Sequence, residues 1–327
     1  MGFVATHPRG DASAPAGRER RASPRCLNLG CGGRFHPAWT NLDAHPIDPR
    51  VMRHDVTQGI PFADGSFEFV YHSHLLEHLA PEQGLQLLRE CHRVLVPGGV
   101  IRVAVPDLEQ IARLYLEALD KARAGDGRWQ HHYDWMLIEL LDQTVRETTG
   151  GRHGSYLNRD DIPNVEFVLM RHGREAQASI DGQRQLRAAA HFSPAAGGGN
   201  GATPSIIRRA ARRGRRLAST LLRPARLREV ALNRLLGADR ELLELGRFRR
   251  SGEIHQWMYD SYSLSRALTD SGFETPARMR PSESHLEGWD RLGLDVDDEG
   301  RVHKPDSVFV EATRPQPRPA TSSETDA

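Results

Sequence analysis

Along residues 25–115, short apolar runs alternate with turn-rich breaks and with a stretch of helical spacing. RCLNLG, TNLDA, VMRHDV and FEFVYHS read as four successive strands, the last entered through the turn-forming ADGS. PEQGLQLLRECHRVL then places Leu85, Leu88, Cys91 or His92, and Leu95 at helical spacing, with Pro81 near its start and Pro97–Gly99 expected to stop it. VIRVAVPD has little polar alternation and reads as a fifth strand covered on both faces. Strands alternating with helices predict a parallel sheet in an α/β fold. Only Gly30 to Ala38 separate the first two strands, which is short for a parallel crossover with a full helix. A reduced helix or a loop is expected there.

Beyond this core the texture changes. DLEQIARLYLEAL puts Leu108, Ile111, Leu114 or Tyr115, and Leu119 on one helical face, and YDWMLIELLDQTVRE does the same with Trp135, Ile138, Leu141 and Val145. TGGRHG then breaks the pattern. Residues 173–204 are low in apolar content and include PAAGGGNGATP, read as flexible. Residues 205–250 are dense in arginine. DSYSLSRALTDSGF reads as a helix capped by Asp260 or Ser261 and closed by Gly272, and KPDSVFVEATR as a final strand. The expected organisation is a disordered lead-in over 1–24, core over 25–115, a helical insertion over 116–252, core again over 253–314, and a mobile tail over 315–327.

Composition narrows the classes. The chain has 327 residues, 38% of them apolar, and a formal net charge of +1. It is neither a uniformly basic nucleic-acid binder nor an acidic disordered chain. Its three cysteines (Cys26, Cys31, Cys91) form no CxxC pair and suggest no disulfide framework, which fits a reducing cytoplasm. No apolar run approaches the ~20 residues of a membrane span, and the N-terminus lacks the apolar stretch of a secretory signal. MGFVAT does satisfy the permissive myristoylation pattern. The arginine-rich stretch interleaves Ile206, Ile207, Leu217, Leu221, Leu222 and Leu227. It is read either as a solvated charged helix or as a contact for anionic lipid or another polyanion at the inner membrane face; nucleic acid is the weaker reading, for want of aromatic elements.

The glycines Gly30, Gly32 and Gly33 follow the first strand, where a ligand can touch main-chain groups without Cβ interference. Asp43 and Asp55 end the second and third strands, so all three features fall along one edge of an open parallel sheet. A carboxylate at the end of the second strand suits a ribose diol. A dinucleotide needs G-x-G-x-x-G opening a helix, whereas here G-C-G-G-R-F is followed by Pro37. A cofactor with ribose and adenine but no phosphates fits better.

LNLGCGG, NLDA, HDVTQGIPFADGSFEFVYHSHLLEHL and CHRVLVPGGVIRVAVPDLE, in this order and spacing, resemble the successive motifs of class I S-adenosylmethionine-dependent methyltransferases, nearest the methyltransferase type 11, UbiE-like branch. The resemblance implies a Rossmann-like doubly wound sheet of about seven strands in the order 3-2-1-4-5-7-6, mostly parallel with the last strand, DSVFVEAT, antiparallel. It implies S-adenosyl-L-methionine as cofactor. Gly30, Cys31 and Gly32 would approach the methionine moiety, Asp43 the ribose, and Asp55 with Val56 the adenine. Ser73 and His74 would border the methionine end and the reacting methyl. It further suggests a glycan or lipid-linked sugar as acceptor.

For catalysis, SHLLEHL offers His74 and His78, which share a face at i, i+4 if a helix begins near Ser73. Glu77 and His78 equally suit a cap or buttress for that helix. Acceptor contacts are expected from His255, in GEIHQWMYDSYS, and from Asp142 and Arg146; the last two equally suit a solvated helix face. Trp257 is expected to pack. Asp107 suits either the pocket or a helix N-cap. No metal is expected: HLLEH is not HExxH, and His131–His132 has no partner set. Two other functions stay open, a non-catalytic protein that keeps the cofactor fold and, less favoured, a nicotinamide-dependent oxidoreductase.

Overall fold

Strand β1 (Cys26–Leu29) is buried along its whole length, because it lies at the centre of a sheet that is covered on both faces. The computed structural model describes residues 24–192, 236–237 and 239–317; PAAGGGNGATP and most of the arginine-rich stretch lie outside them. Around β1 run β2 (Thr40–Asp43), β3 (Met52–Arg53), β4 (Phe67–Ser73) and β5 (Leu95–Pro106), followed by β6 (Glu274–Met279) and β7 (Ser307–Thr313). Their order is β3-β2-β1-β4-β5-β7-β6, with β7 antiparallel to both of its neighbours and the other pairs parallel. This is the seven-stranded Rossmann-like order expected. The connection from β1 to β2 is a loop with no helix, as its length required.

One face of the sheet carries α1 (Pro81–Val94) and α7 (Ser261–Asp270), whose Leu87, Leu88, Cys91, Leu264 and Leu268 join Leu27, Leu29, Val70 and Val103 in the main core. Helix α1 buries Gly84, Leu87, Leu88, Cys91 and Val94, so its inner stripe is centred beside the one the spacing suggested. It ends at Val94, and Pro97–Gly99 lie inside β5, where the ladder shifts register and Gly98 takes φ +79°. Asp260 caps α7 through the Ser263 N–H at 2.7 Å.

Among the described residues, the other face has no long helix. An irregular segment between β6 and β7 covers it, placing Trp289 and Leu294 against Cys26, Phe69 and Tyr71. The fully buried Arg102 on β5 pins this segment. It donates to Asp295 (2.8 Å), Glu311 (2.9 Å) and the Glu283 carbonyl (2.7 Å), and its guanidinium lies 4.5 Å from the centre of the Trp289 ring.

Between β5 and α7 the insertion forms its own core from α2 (Leu108–Arg123), α3 (Gly127–Val145), α4 (Gly151–Leu157) and α5 (Val165–Phe192), followed later by the exposed α6 (Asp239–Arg249). Asp107 caps α2, accepting from the Glu109 and Gln110 N–H groups. In α3 the buried face is Trp135, Met136, Glu139 and Asp142, whereas Leu141 and Val145 are 47% and 60% exposed. The expected apolar face is displaced because both buried carboxylates find partners, Glu139 in Arg171 and His172 and Asp142 in Arg146 and the first N–H groups of α4. Burial opposes ionisation of Glu139, yet His172 and Arg171 hold its carboxyl down to about 2. Helix α5 continues to Phe192 with a kink at Gly173, well into a stretch too polar to show a helical stripe.

Two outcomes follow. Arg102→Ala strands two buried carboxylates, so urea denaturation should show a loss of about 3–5 kcal/mol; a loss below about 1 kcal/mol would put this network on a par with surface pairs. His72 is buried without a partner on either ring nitrogen, and burial pulls its pKa from 6.5 to about 4. Between these values the unfolded chain takes up a proton that the folded chain refuses, so stability falls as pH drops from 6.5 to 4. The slope from this group is at most about 1.4 kcal/mol per pH unit. Denaturation from pH 7 to 4 should show a shallower decline for His72→Leu than for the native chain; parallel profiles would refute this source.

Candidate active site

The carboxyl ends of β1, β2 and β4 open into two adjoining pockets that share Gly30 and His74. The larger, about 690 Å³, includes Gly30, Asp43, His45, Asp55, Val56, His74, Leu75 and His78 in its lining. The smaller, about 440 Å³, includes Gly30, Cys31, Gly32, Gly33, Arg34, Ser73, His74, Glu175 and Lys304.

Gly30 and Gly32 take φ +61° and +52°, conformations that side chains resist. A Cβ on Gly30 would lie 2.9 Å from Leu75 Cδ1, whereas the space above Gly32 is open. The Gly32 N–H donates to Asp43 Oδ2 at 2.8 Å and the His45 N–H to Oδ1 at 2.7 Å, so Asp43 shapes the turn. Two accepted bonds leave the carboxylate further lone pairs for a diol. Asp55 caps a short 3-10 turn at Val56–Gln58, accepting from Thr57 N–H at 3.0 Å and Thr57 O–H at 2.7 Å. These bonds hold its carboxyl below the usual range. Burial first, with the Asp43 charge, pushes the Cys31 thiol up to about 11, so it meets a ligand as a small neutral group.

At the junction His74 has φ +53°, rare for a residue with a side chain and a point of backbone strain at the centre of the cleft. Its Nε2 lies 2.7 Å from Ser307 Oγ, and its Nδ1 is 3.2 Å from Glu77 Oε1 without the alignment of a hydrogen bond. The expected helix from Ser73 does not form. Only a 3-10 turn over Leu76–His78 follows, so His74 and His78 do not share an i, i+4 face, and both reach the larger pocket by separate routes. Burial draws the pKa of both imidazoles down and pushes Glu77 up to about 8.

The expected acceptor residues are elsewhere. Asp142 accepts from the Arg152 N–H at 2.7 Å and the His153 N–H at 3.2 Å, and Arg146 lies between Asp142 and Glu253. Both are structural ties of the insertion, buried by their pairing, and neither lines the cleft. His255 is 4% exposed and stands edge-on to His78 with ring centres 4.8 Å apart, while Trp257 is 50% exposed, the reverse of the expected roles. Sequence reasoning missed Glu175, Lys304, Arg249 and Gln256 at the rims. Lys304 carried a faint signal, being one of two lysines in the chain; the others reach the cleft through long-range packing.

This sheet order, with a glycine turn after β1 and an acid after β2, is the one that the resemblance to class I methyltransferases implied. Residues 27–103 match the family model described as a methyltransferase domain. Among solved structures, the [4+2]-cyclase SpnF is 19% identical, with 25% of this chain and 38% of that one covered and a TM-score of 0.21. An S-adenosylmethionine-dependent methyltransferase from Mesorhizobium loti is 22% identical, covering 26% of this chain and 48% of that one, TM-score 0.21. Another from Archaeoglobus fulgidus is 19% identical, covering 29% and 52%, TM-score 0.24. The chain thus spans about half or less of the length of these structures. No curated protein matches it.

The cleft suits the family's cofactor: an open backbone turn, a carboxylate with spare lone pairs, and no helix after β1 to favour a pyrophosphate. Asp43→Ala should weaken S-adenosylhomocysteine binding, measured calorimetrically, by roughly 10- to 150-fold, the equivalent of one charged hydrogen bond. An unchanged affinity would refute the ribose assignment.

Proposed function

We propose that the protein transfers the methyl group of S-adenosylmethionine to a hydroxyl of a polar acceptor, a glycan or lipid-linked sugar. The observation that carries this reading is the meeting of two pockets at Gly30 and His74. The larger holds the groups a nucleoside needs: Asp43 for ribose, Asp55 and Val56 for adenine, and the turn at Gly30–Gly32 leading towards the methionine end. The smaller is lined mainly by polar groups from both the sheet edge and the insertion, including Arg34, Ser73, Glu175 and Lys304. That lining suits a hydroxyl-rich molecule.

When bound, the cofactor supplies a methyl group already activated on a sulfonium. The protein's task is therefore chiefly alignment. His74, fixed by Ser307 and by its own strained backbone, sits where the two ligands meet. It is neutral near pH 7 and weakly basic, so it orients an acceptor hydroxyl more than it strips the proton. Among the described residues no helix is long and apolar enough to cross a membrane.

The test is transfer from S-adenosylmethionine labelled in its methyl group into fractionated polar extracts, beside calorimetry with S-adenosylhomocysteine. Label should enter a carbohydrate-containing fraction, and His74→Ala should lower the rate at least tenfold while retaining cofactor affinity. Cofactor binding with no label in any fraction would favour a non-catalytic binding protein. NAD(H) binding with hydride transfer would overturn the reading altogether.

A further inference from the structure

Beside the larger pocket, residues 255–257 are stitched by hydrogen bonds to two segments remote in sequence. The Gln256 and Trp257 N–H groups donate to the Glu77 carbonyl at 2.7 and 3.2 Å, Gln256 Nε2 to the His78 carbonyl at 2.8 Å, and the His255 N–H to the Gln143 carbonyl at 2.9 Å. This stitching gathers Glu77, His78 and His255, each offering one donor atom within 4.8 Å of the others. Three of their polar atoms are buried without a hydrogen-bond partner: both Glu77 carboxylate oxygens and His255 Nδ1. A buried carboxyl group whose two oxygens make no aligned hydrogen bond, with only His74 Nδ1 3.2 Å from one of them, is costly to a fold, and a bound cation would remove that cost.

We infer that Glu77, His78 and His255 form a binding site for one divalent transition-metal ion, Zn²⁺ by its donor set, with an open coordination position facing the cleft. Two imidazoles and one carboxylate are a three-ligand set of the kind that leaves zinc a fourth position for water or substrate. The orientation of His78 agrees. Its Nδ1–H donates to the Ile254 carbonyl at 3.0 Å, which fixes the tautomer and frees Nε2 as a ligand, the arrangement usual for a metal-bound histidine. His78 also lines the larger pocket, which gives the ion a path in and gives its open position a view of the cleft. Tetrahedral zinc with bonds of about 2.0–2.1 Å needs donors roughly 3.4 Å apart, so the three side chains close inwards modestly on binding. An acceptor oxygen reaching that position would be held beside His74, where the two pockets meet. Spacing alone does not reveal this set, because HLLEH supplies two of the donors and the third comes from a segment 177 residues after His78. The metal site does not depend on the methyl-transfer reading, and cofactor binding, measured separately, tells the two apart.

The experiment titrates the chelator-treated full chain with Zn²⁺ calorimetrically, and with Co²⁺ by visible absorption, in the presence and absence of S-adenosylhomocysteine. One equivalent of Zn²⁺ should bind, and Co²⁺ should give the intense ligand-field bands of a four-coordinate site. His255→Gln and Glu77→Gln should each lower affinity by more than the roughly 10–100-fold that loss of an outer hydrogen-bond partner costs, with S-adenosylhomocysteine binding kept as evidence of folding. Absence of stoichiometric uptake by the native chain would overturn the site whether or not the variants fold. So would uptake at native affinity in both folded variants.

Discussion

Arg102 is a positive charge fully buried in the middle of the sheet, and the architecture around the cleft depends on how it is neutralised. A doubly wound sheet usually covers each face with helices; here one face is closed by an irregular segment that could not hold its place by periodic packing. Arg102 supplies the fixed points, two carboxylates, three carbonyls and the Trp289 ring. The segment then runs on through Lys304, Asp306 and Ser307, which face Glu175, His172 and His74. The buried charge network reaches the smaller pocket directly as well, since Tyr71 lines that pocket and donates to Asp295 at 2.6 Å.

The core strands were legible because buried parallel strands show as near-continuous apolar runs, and β1, β2, β4 and β5 all did. Strand β6 was not: it is largely exposed, and Thr275 at φ +51° marks a shift in its pairing with β7, so no alternation marks it. Helix α3 was recognised as a helix but turned to the wrong face. Periodicity assumes that charges point outward, and Glu139 and Asp142 point inward because Arg171, His172 and Arg146 meet them there.

That Gly30, Gly32, Asp43 and Asp55 line the cleft could be read from sequence because they stand at strand ends, and the sheet order alone brings strand ends together. The outer rim of the smaller pocket could not. Glu175 of α5 and Lys304 before β7 complete it, and their approach is decided by packing between segments more than a hundred residues apart. The exchange of expected roles between His255 and Trp257 has the same origin: the main chain at His255 is tied to the Gln143 carbonyl, its ring packs edge-on against His78, and the large aromatic Trp257 is left outside.

The kink of α5 at Gly173 constrains how such a protein can change. The glycine takes φ +54°, and a Cβ there would lie 2.9 Å from Pro305 Cδ and 3.0 Å from the His303 carbonyl. The helix can therefore lean onto the 303–305 turn only with glycine at that point, and the same lean delivers His172 to Asp306 and Glu175 to Lys304. The insertion is consequently no freely exchangeable module. A lineage that replaced it would have to inherit the glycine and the facing turn as one heritable unit, or rebuild both at once.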